Sequence, residues 1–338
     1  MLTSGVLQDL LAEWIMKILI TGGAGFIGSH LTERLVDEGH TVTVLDDLST
    51  GRRENLAALA GSNSLNFIEG SILDDDLVQD MAADADAIFH LAAAVGVKLI
   101  MDHPSRSILT NINGTENVLR AALKRKTLTF VASTSEVYGK ATKFPFSEDD
   151  DLTIGATKNL RWSYACAKTL DEFLALAYAR EENLPVVILR FFNTTGPRQT
   201  GRYGMVVPNF VQAALEGSPL LVHGTGEQSR CFGHVHDVVE AMIRLMDEPA
   251  ARGQVFNVAN DQEVTIRQLA EQVIAATGSK SEIRLVPYSS VYPEGFEDMA
   301  RRLPDVAKLQ RTIGFRPRRG LTEIIADVVA EKRTSGAT

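Results

Sequence analysis

Near the middle of the chain, the run Tyr164-Ala165-Cys166-Ala167-Lys168 lies in a stretch that reads as helix. Its two polar ends therefore leave one face, one turn apart. An ammonium beside a phenol favours the phenolate and brings its pKa toward the range of a general base. Taken alone, such a pair is also ordinary helix surface; its place after the strand that follows a long helix is what gives it meaning. Thr134-Ser135-Glu136 follows a strand ending at Ala132. A hydroxyl there can share a hydrogen bond with a substrate hydroxyl and with Tyr164. The same run also reads as a turn satisfied by its own side chains. Glu136 is either a catalytic carboxylate or a cap bonding to backbone N–H groups.

A second constellation works through backbone. Lys17 to Thr21 is a short apolar run bounded by glycine, which reads as a buried parallel strand. It turns through Gly22, Gly23, Gly25 and Gly28 into a helical pattern with Phe26, Ile27, Leu31 and Leu35 on one face. Glycines let backbone approach a pyrophosphate, and the helix start offers unpaired N–H groups and a positive dipole end. A tight strand-to-helix turn would look the same. Asp46 separates the two readings: it ends the strand Thr41 to Leu45 about 20 residues on, where an acid binds the adenosine ribose hydroxyls and repels a 2′-phosphate. The expected cofactor is NAD.

The 338 residues are 45% hydrophobic, ample for one large core or two smaller ones. A formal charge of −9 with no long basic run argues against a nucleic-acid surface, though local arginines could hold a diphosphate. Two cysteines, Cys166 and Cys231, make neither a disulfide framework nor a metal site and suit a reducing cytoplasm. No apolar run reaches the length of a membrane span.

The elements that must carry these residues alternate strand and helix. After Asp46 come a polar loop, a short helix, a strand at 65–69, a helix from about Asp74 and a strand at 87–91. A long helix spans 104–126, followed by strand 128–132, helix 164–182 and strand 186–191. Such repeats build an α/β Rossmann sheet, doubly wound and parallel, with ligands beyond the C-terminal strand ends. Past Asn193, clustered glycine and proline suggest a smaller C-terminal substrate lobe with segments returning to the sheet. The expected organisation is an extension at 1–15, an NAD-binding domain at 16–190, a nucleotide-sugar lobe at 191–333 and a frayed tail at 334–338.

The ordered set Gly22-Gly-Ala-Gly-Phe-Ile-Gly28, Asp46-Asp-Leu48, His90-Leu-Ala-Ala93, Asn111-Ile-Asn-Gly-Thr115, Ser133-Thr-Ser-Glu-Val-Tyr-Gly139 and Tyr164-x-x-x-Lys168 resembles the extended short-chain dehydrogenase/reductase family. Within it, the chain resembles the NAD-dependent nucleotide-sugar epimerases and dehydratases. Arg190-Phe-Phe-Asn193, Gly196-Pro-Arg198, Val207-Pro-Asn-Phe210, Arg230, His234-Val-His-Asp237 and Arg302-Leu-Pro-Asp305 continue the match.

The resemblance implies that Tyr164 is the base on the sugar 4-hydroxyl, that Lys168 orients the nicotinamide ribose and that Thr134 assists at the sugar oxygen. It places Gly22, Gly25, Phe26, Ile27, Gly28, Asp46, Ile72, Leu91, Ala92, Ala93 and Asn111 around NAD. Asn193, Val207, Arg230 and Arg302, or Arg301 in place of its neighbour, would hold the nucleotide diphosphate of a UDP-sugar. Ser135, Arg198 and Arg202 are candidates for a C6 carboxylate.

Every branch of the family begins with a 4-keto sugar. The dehydratases carry Asp-Glu where this chain has Ser135-Glu136, which removes a proton donor. UDP-glucuronate decarboxylases share Thr-Ser-Glu but usually carry Asp-Glu-Gly where this chain has Ala165-Cys166-Ala167, and their loop differs from Thr200 to Val206. The expected activity is therefore that of a UDP-glucuronate 4-epimerase, of the kind found in moenomycin biosynthesis, working as a homodimer. UDP-glucuronate decarboxylation, UDP-glucose 4-epimerisation and 4,6-dehydration are the alternatives. A non-catalytic NAD-binding sensor is remote, because such relatives typically lose the Tyr/Lys pair.

Overall fold

The computed structural model of the chain describes residues 15–291 and 297–335. The extension expected at 1–15 lies outside the described residues except for Ile15, and the tail expected at 334–338 is described only as far as Ser335.

In chain order the elements are β1 (Lys17–Thr21), α1 (Phe26–Asp37), β2 (Thr41–Asp46), β3 (Leu65–Glu69), α2 (Asp75–Ala82), β4 (Ala87–His90), α3 (Val97–Asp102), α4 (Pro104–Leu123), β5 (Leu128–Thr134), α5 (Ser163–Glu182) and β6 (Val186–Phe191). There follow β7 (Thr194–Thr195), α6 (Val206–Leu215), β8 (Leu220–His223), β9 (Ser229–Cys231), β10 (Gly233–His234), α7 (Val235–Met246), β11 (Gln254–Val258), β12 (Glu263–Thr265), α8 (Ile266–Thr277), β13 (Ile283–Val286), β14 (Arg301–Arg302), α9 (Ala307–Ile313) and α10 (Leu321–Ser335). Seven strands hydrogen-bond in the order β11-β6-β5-β4-β1-β2-β3, which is a doubly wound sheet of the kind expected from the sequence. The described residues fall into two compact units: 15–93 with 113–131 and 174–186, and 94–112 with 132–173 and the described residues from 187 to 335.

In the first unit, β1 pairs in parallel with β2 and with β4, Ile18 facing Val42 on one side and Ala87 on the other. Ile18, Leu19 and Ile20 are at most 1% exposed, as a strand covered on both faces requires. Helix α2 starts where Asp74 accepts a hydrogen bond from the Leu77 amide at 3.2 Å. The short helix expected after Asp46 is instead a 3-10 segment, Arg53–Leu59. Helix α4 stops at Leu123, short of the expected Lys126, whose left-handed backbone (φ +55°) ends the helix.

The second unit has its own core. Val207, Phe210 and Val211 of α6 pack with Leu269 and Val273 of α8 and with Ile324, Ile325 and Val328 of α10. Each such side chain contributes about 1.5–3 kcal/mol on burial. A three-stranded sheet, β12-β9-β14, stands apart from the main one. Strand β5 runs two residues past its expected end, so Ser133 and Thr134 belong to the strand and the turn begins at Ser135. The sequence pattern gave no sign of α3.

Candidate active site

The first unit holds the glycine turn. At Gly22 φ is +75°, and a Cβ there would stand 2.7 Å from the Ala92 amide nitrogen. Only glycine lets the end of β1 lie so close to Leu91 and Ala92, whose amides donate to Thr21 O (3.0 Å) and Thr21 Oγ1 (3.4 Å). A Cβ at Gly28 would meet Gly22 O at 2.2 Å. Gly25 begins α1 with no side-chain cap, leaving the first-turn amides of Phe26, Ile27 and Gly28 without intrahelical acceptors.

Asp46, at the end of β2, is buried and accepts hydrogen bonds from the Ala24 and Leu48 amides, each at 2.9 Å. Burial raises its pKa against those bonds. A Cβ at Gly51 would stand 2.9 and 3.0 Å from its two carboxyl oxygens, so nothing larger than glycine fits beside the carboxylate. An uncapped helix start and a carboxylate at the end of β2 fit the pyrophosphate and ribose diol of NAD. Ile72 is buried against Gly114, where a Cβ would come within 2.2 Å of its Cδ1.

The second unit contains a cavity of about 480 Å³, within the usual range for a small-molecule site. Glu136, Arg161, Tyr164, Asn193, Val207, Arg230, Asp298 and Arg302 are among its lining residues. Two arginines arrive by strand register: β14 lies parallel to β9, with Arg302 opposite Arg230 and Arg301 opposite Ser229. Alternation turns Arg302 inward, where it is buried, while Arg301 faces out and grips Glu263 at 2.7 and 2.8 Å. Arg302 is thus the inward residue of the adjacent pair.

Like charges paired across strands repel, and Arg161, from the turn before α5, adds a third. Arg161 makes a two-pronged ion pair with Glu136, with Nη2–Oε1 at 3.0 Å. Arg302 Nη1 lies 3.6 Å from the same carboxylate, and Arg230 bonds Asp298 at 2.9 Å. Burial pushes Glu136 up, but Arg161, Arg302 and Arg230 outweigh it and leave its pKa at about 2. Burial, followed by repulsion from Arg230, lowers Arg302 to about 10 against the pull of Glu136 and Asp298. The Arg302 Nε is buried without a hydrogen-bond partner. Three cations face two carboxylates, so the cavity is short of negative charge.

Tyr164 reaches this cavity from the first turn of α5. Its phenol is pushed above the ordinary value by burial and then by Glu136 and Asp171, with Arg161 opposing. Lys168 is buried and bonds Asp171 at 2.7 Å. The expected acidification of the phenol by Lys168 is therefore corrected: within the chain alone the ammonium is met by a carboxylate, and Tyr164 stays protonated.

The other residues singled out in the sequence divide between cavity and scaffold. Thr134 caps the turn, accepting from the Glu136 amide at 3.2 Å, so Glu136 is free of capping work and faces the arginines. Ser135 is buried; neither it nor Thr134 lines the cavity. Asn111 spends its side-chain amide on the Ala94 backbone, at 2.8 and 3.3 Å. Asn193 is at the cavity with its amide on Cys231 O, 2.9 Å away. Arg198 and Arg202 are not among the lining residues, whereas Arg161 is. The sequence reading missed Arg161; its one signal was its place three residues before Tyr164, one helical turn back.

Residues 18–259 match the family model described as "NAD dependent epimerase/dehydratase family". A UDP-N-acetyl-alpha-D-glucosaminuronate decarboxylase of Bacillus cytotoxicus is 48% identical over 314 residues, 91% of this chain and 96% of that protein. UDP-glucuronic acid decarboxylase 1 of Xenopus tropicalis is 37% identical over 301 residues, 89% of this chain and 68% of its own. Among solved structures, UDP-glucose 4-epimerase of Thermotoga maritima with UDP-glucose superposes with a TM-score of 0.85 at 31% identity, covering 95% of this chain and 99% of that one.

The decarboxylase relatives overturn the expected 4-epimerase activity. The error has a structural cause. Ala165 and Ala167 are buried in α5 and Cys166 is on its exposed side, and none of the three lines the cavity. The triplet used to argue against decarboxylation packs a helix and does not face the cavity.

Proposed function

Since the chain belongs to the NAD dependent epimerase/dehydratase family, we propose that it is a decarboxylase of UDP-N-acetylglucosaminuronate, releasing C6 as CO2. The observation that carries this reading is the near-full-length likeness to the Bacillus cytotoxicus decarboxylase. The cavity's surplus of positive charge supports it, because a UDP-hexuronate brings both a diphosphate and a carboxylate.

NAD, when bound, supplies the hydride acceptor for sugar C4 and the hydride returned there. With the positively charged nicotinamide beside it, the Tyr164 phenol would give up its own proton; its oxygen then takes the O4 proton and later gives it back. In the 4-keto sugar the carboxylate is β to the carbonyl. The C5–C6 electron pair passes into that carbonyl as CO2 leaves, and the resulting enolate takes a proton from solvent at C5. Arg230 and Arg302 hold anionic oxygens of the substrate. Glu136, with a pKa of about 2, is a carboxylate at neutral pH and no proton donor.

UDP-glucuronate is the second reading, favoured by the relatives at 33–37% identity that act on it. Incubating the purified chain and NAD with each UDP-hexuronate, followed by mass spectrometry, tests both. Loss of one CO2, faster from the N-acetylated sugar, is the expected result; a product of unchanged mass overturns the proposal. Tyr164→Phe should cut turnover about 100-fold or more, to which a pure NAD-binding sensor would be indifferent.

A further inference from the structure

The face of α5 that carries Tyr164 and Lys168 continues, at the next helical spacing, to Asp171. Lys168 and Asp171 have side chains only 3% and 0% exposed, with Nζ 2.7 Å from Oδ2. The next residue, Glu172, aims elsewhere: both its oxygens bond Arg190, at 2.9 and 2.7 Å, so the two neighbouring acids do not substitute for each other. We propose that Asp171 is a positioning residue of the reaction, which holds the Lys168 ammonium on the helix face it shares with Tyr164. The Tyr-x-x-x-Lys pattern stops short of it, and nothing in that pattern calls for an acid there.

The consequence lies in the charges facing the phenol. Glu136 approaches from the turn after β5, Arg161 from the turn before α5, and Lys168 and Asp171 stand on the phenol's own helix. With Asp171 in place, the ammonium's field at Tyr164 is offset by a carboxylate, and Asp171 adds to the forces keeping the phenol protonated. Removing that charge while keeping the shape leaves the ammonium offset by Glu136 but no longer by Asp171, and the phenol gives up its proton at lower pH.

Asp171→Asn and Asp171→Glu in the full chain with NAD test this, with Tyr164→Phe as the zero of activity. The acid limb of kcat should move down by about one pH unit in Asp171→Asn and return toward its wild-type place in Asp171→Glu. A second readout needs no catalysis: thermal unfolding of Lys168→Met, Asp171→Leu and the double variant without NAD. Each single change buries a lone charge, so the double should lose less stability than the sum of the two. An unmoved acid limb with additive unfolding effects overturns the proposal, and a shift that Asp171→Glu does not reverse does so as well. If Asp171→Asn fails to fold, Asp171→Glu and the double variant still decide the matter. The pH arm rests on the decarboxylase reading for its assay. Absence of any turnover therefore counts against that reading, while the unfolding cycle reports on Asp171 alone.

Discussion

Two clusters in the second unit each bury arginine, and they are built on opposite principles. Arg190 on β6 is saturated: Nε and Nη2 bond Glu172, and Nη1 bonds the Tyr138 hydroxyl at 2.9 Å and Glu148 O at 3.2 Å. Tyr138 in turn donates to Asn257 Oδ1 at 2.7 Å, and the guanidinium stacks on its ring. Burial would pull Arg190 down, but Glu172 and Tyr138 more than reverse it, and its pKa is raised. Arg302 has the reverse balance: burial and other arginines lower it, and one of its nitrogens has no hydrogen-bond partner. A satisfied buried arginine is part of the scaffold, whereas one left unsatisfied among other cations carries a cost that an anion in the cavity would relieve.

The largest expected effect separates the two directly. Arg190→Met leaves the Glu172 carboxylate buried without its partner and should cost about 3–5 kcal/mol, read as a sharp fall in Tm. Arg302→Met relieves repulsion, so the ligand-free chain should keep its Tm or gain a little. The same change should weaken UDP binding about 100-fold in calorimetry, in line with the loss of charged hydrogen bonds to a diphosphate. If both variants lose stability alike, the distinction between scaffold and site fails.

Glu136 tests the cavity through pH. Its pKa falls from the ordinary 4.5 to about 2 on folding. The unfolded state therefore binds the proton more tightly, and the carboxylate stabilises the fold. That contribution, on the order of 3 kcal/mol, is fully present above pH 4.5 and disappears as pH falls through about 2. Denaturant unfolding of wild type and Glu136→Gln should show a gap that is widest near neutrality and mostly closed by pH 3. A gap constant from pH 7 to pH 3 would mean that the arginines do not hold this carboxylate.

The fold was legible because its signals are local. Lys17 to Thr21 announces a buried strand by composition, and the glycines with Asp46 announce a dinucleotide turn by spacing. Within the motifs, however, sequence does not say which residue faces the cavity. Ser133-Thr-Ser-Glu-Val-Tyr-Gly139 reads as one unit. In space, Ser133 bonds Glu172, Thr134 caps a turn, Glu136 enters the cavity and Tyr138 joins the scaffold. Arg161 was hidden because a 3-10 turn, and no regular period, aims it. Asp171 was hidden because a buried acid on a helix looks like a solvated one until its exposure is known. The choice of reaction was misjudged for a related reason: Ala165-Cys166-Ala167 sits between two chemical residues in sequence but faces away from them in space.

The smallest expected effect comes from the arginine beside Arg302 in sequence. Arg301 is on the outward side of β14, its side chain 43% exposed and paired with a Glu263 that is itself 27% exposed. A pair this wet is worth under about 1 kcal/mol, and Arg301 is not among the residues lining the cavity of about 480 Å³. Arg301→Ala should therefore shift Tm by no more than a few degrees and leave the UDP dissociation constant within about twofold of wild type, a range of about 0.4 kcal/mol. Two adjacent arginines on a two-residue strand would then differ about fiftyfold in their effect on binding, for no reason except which face the alternation gives them. If Arg301→Ala weakens UDP as much as Arg302→Met does, β14 is out of register with β9. The contrast between a saturated arginine and an unsatisfied one would then lose its second member.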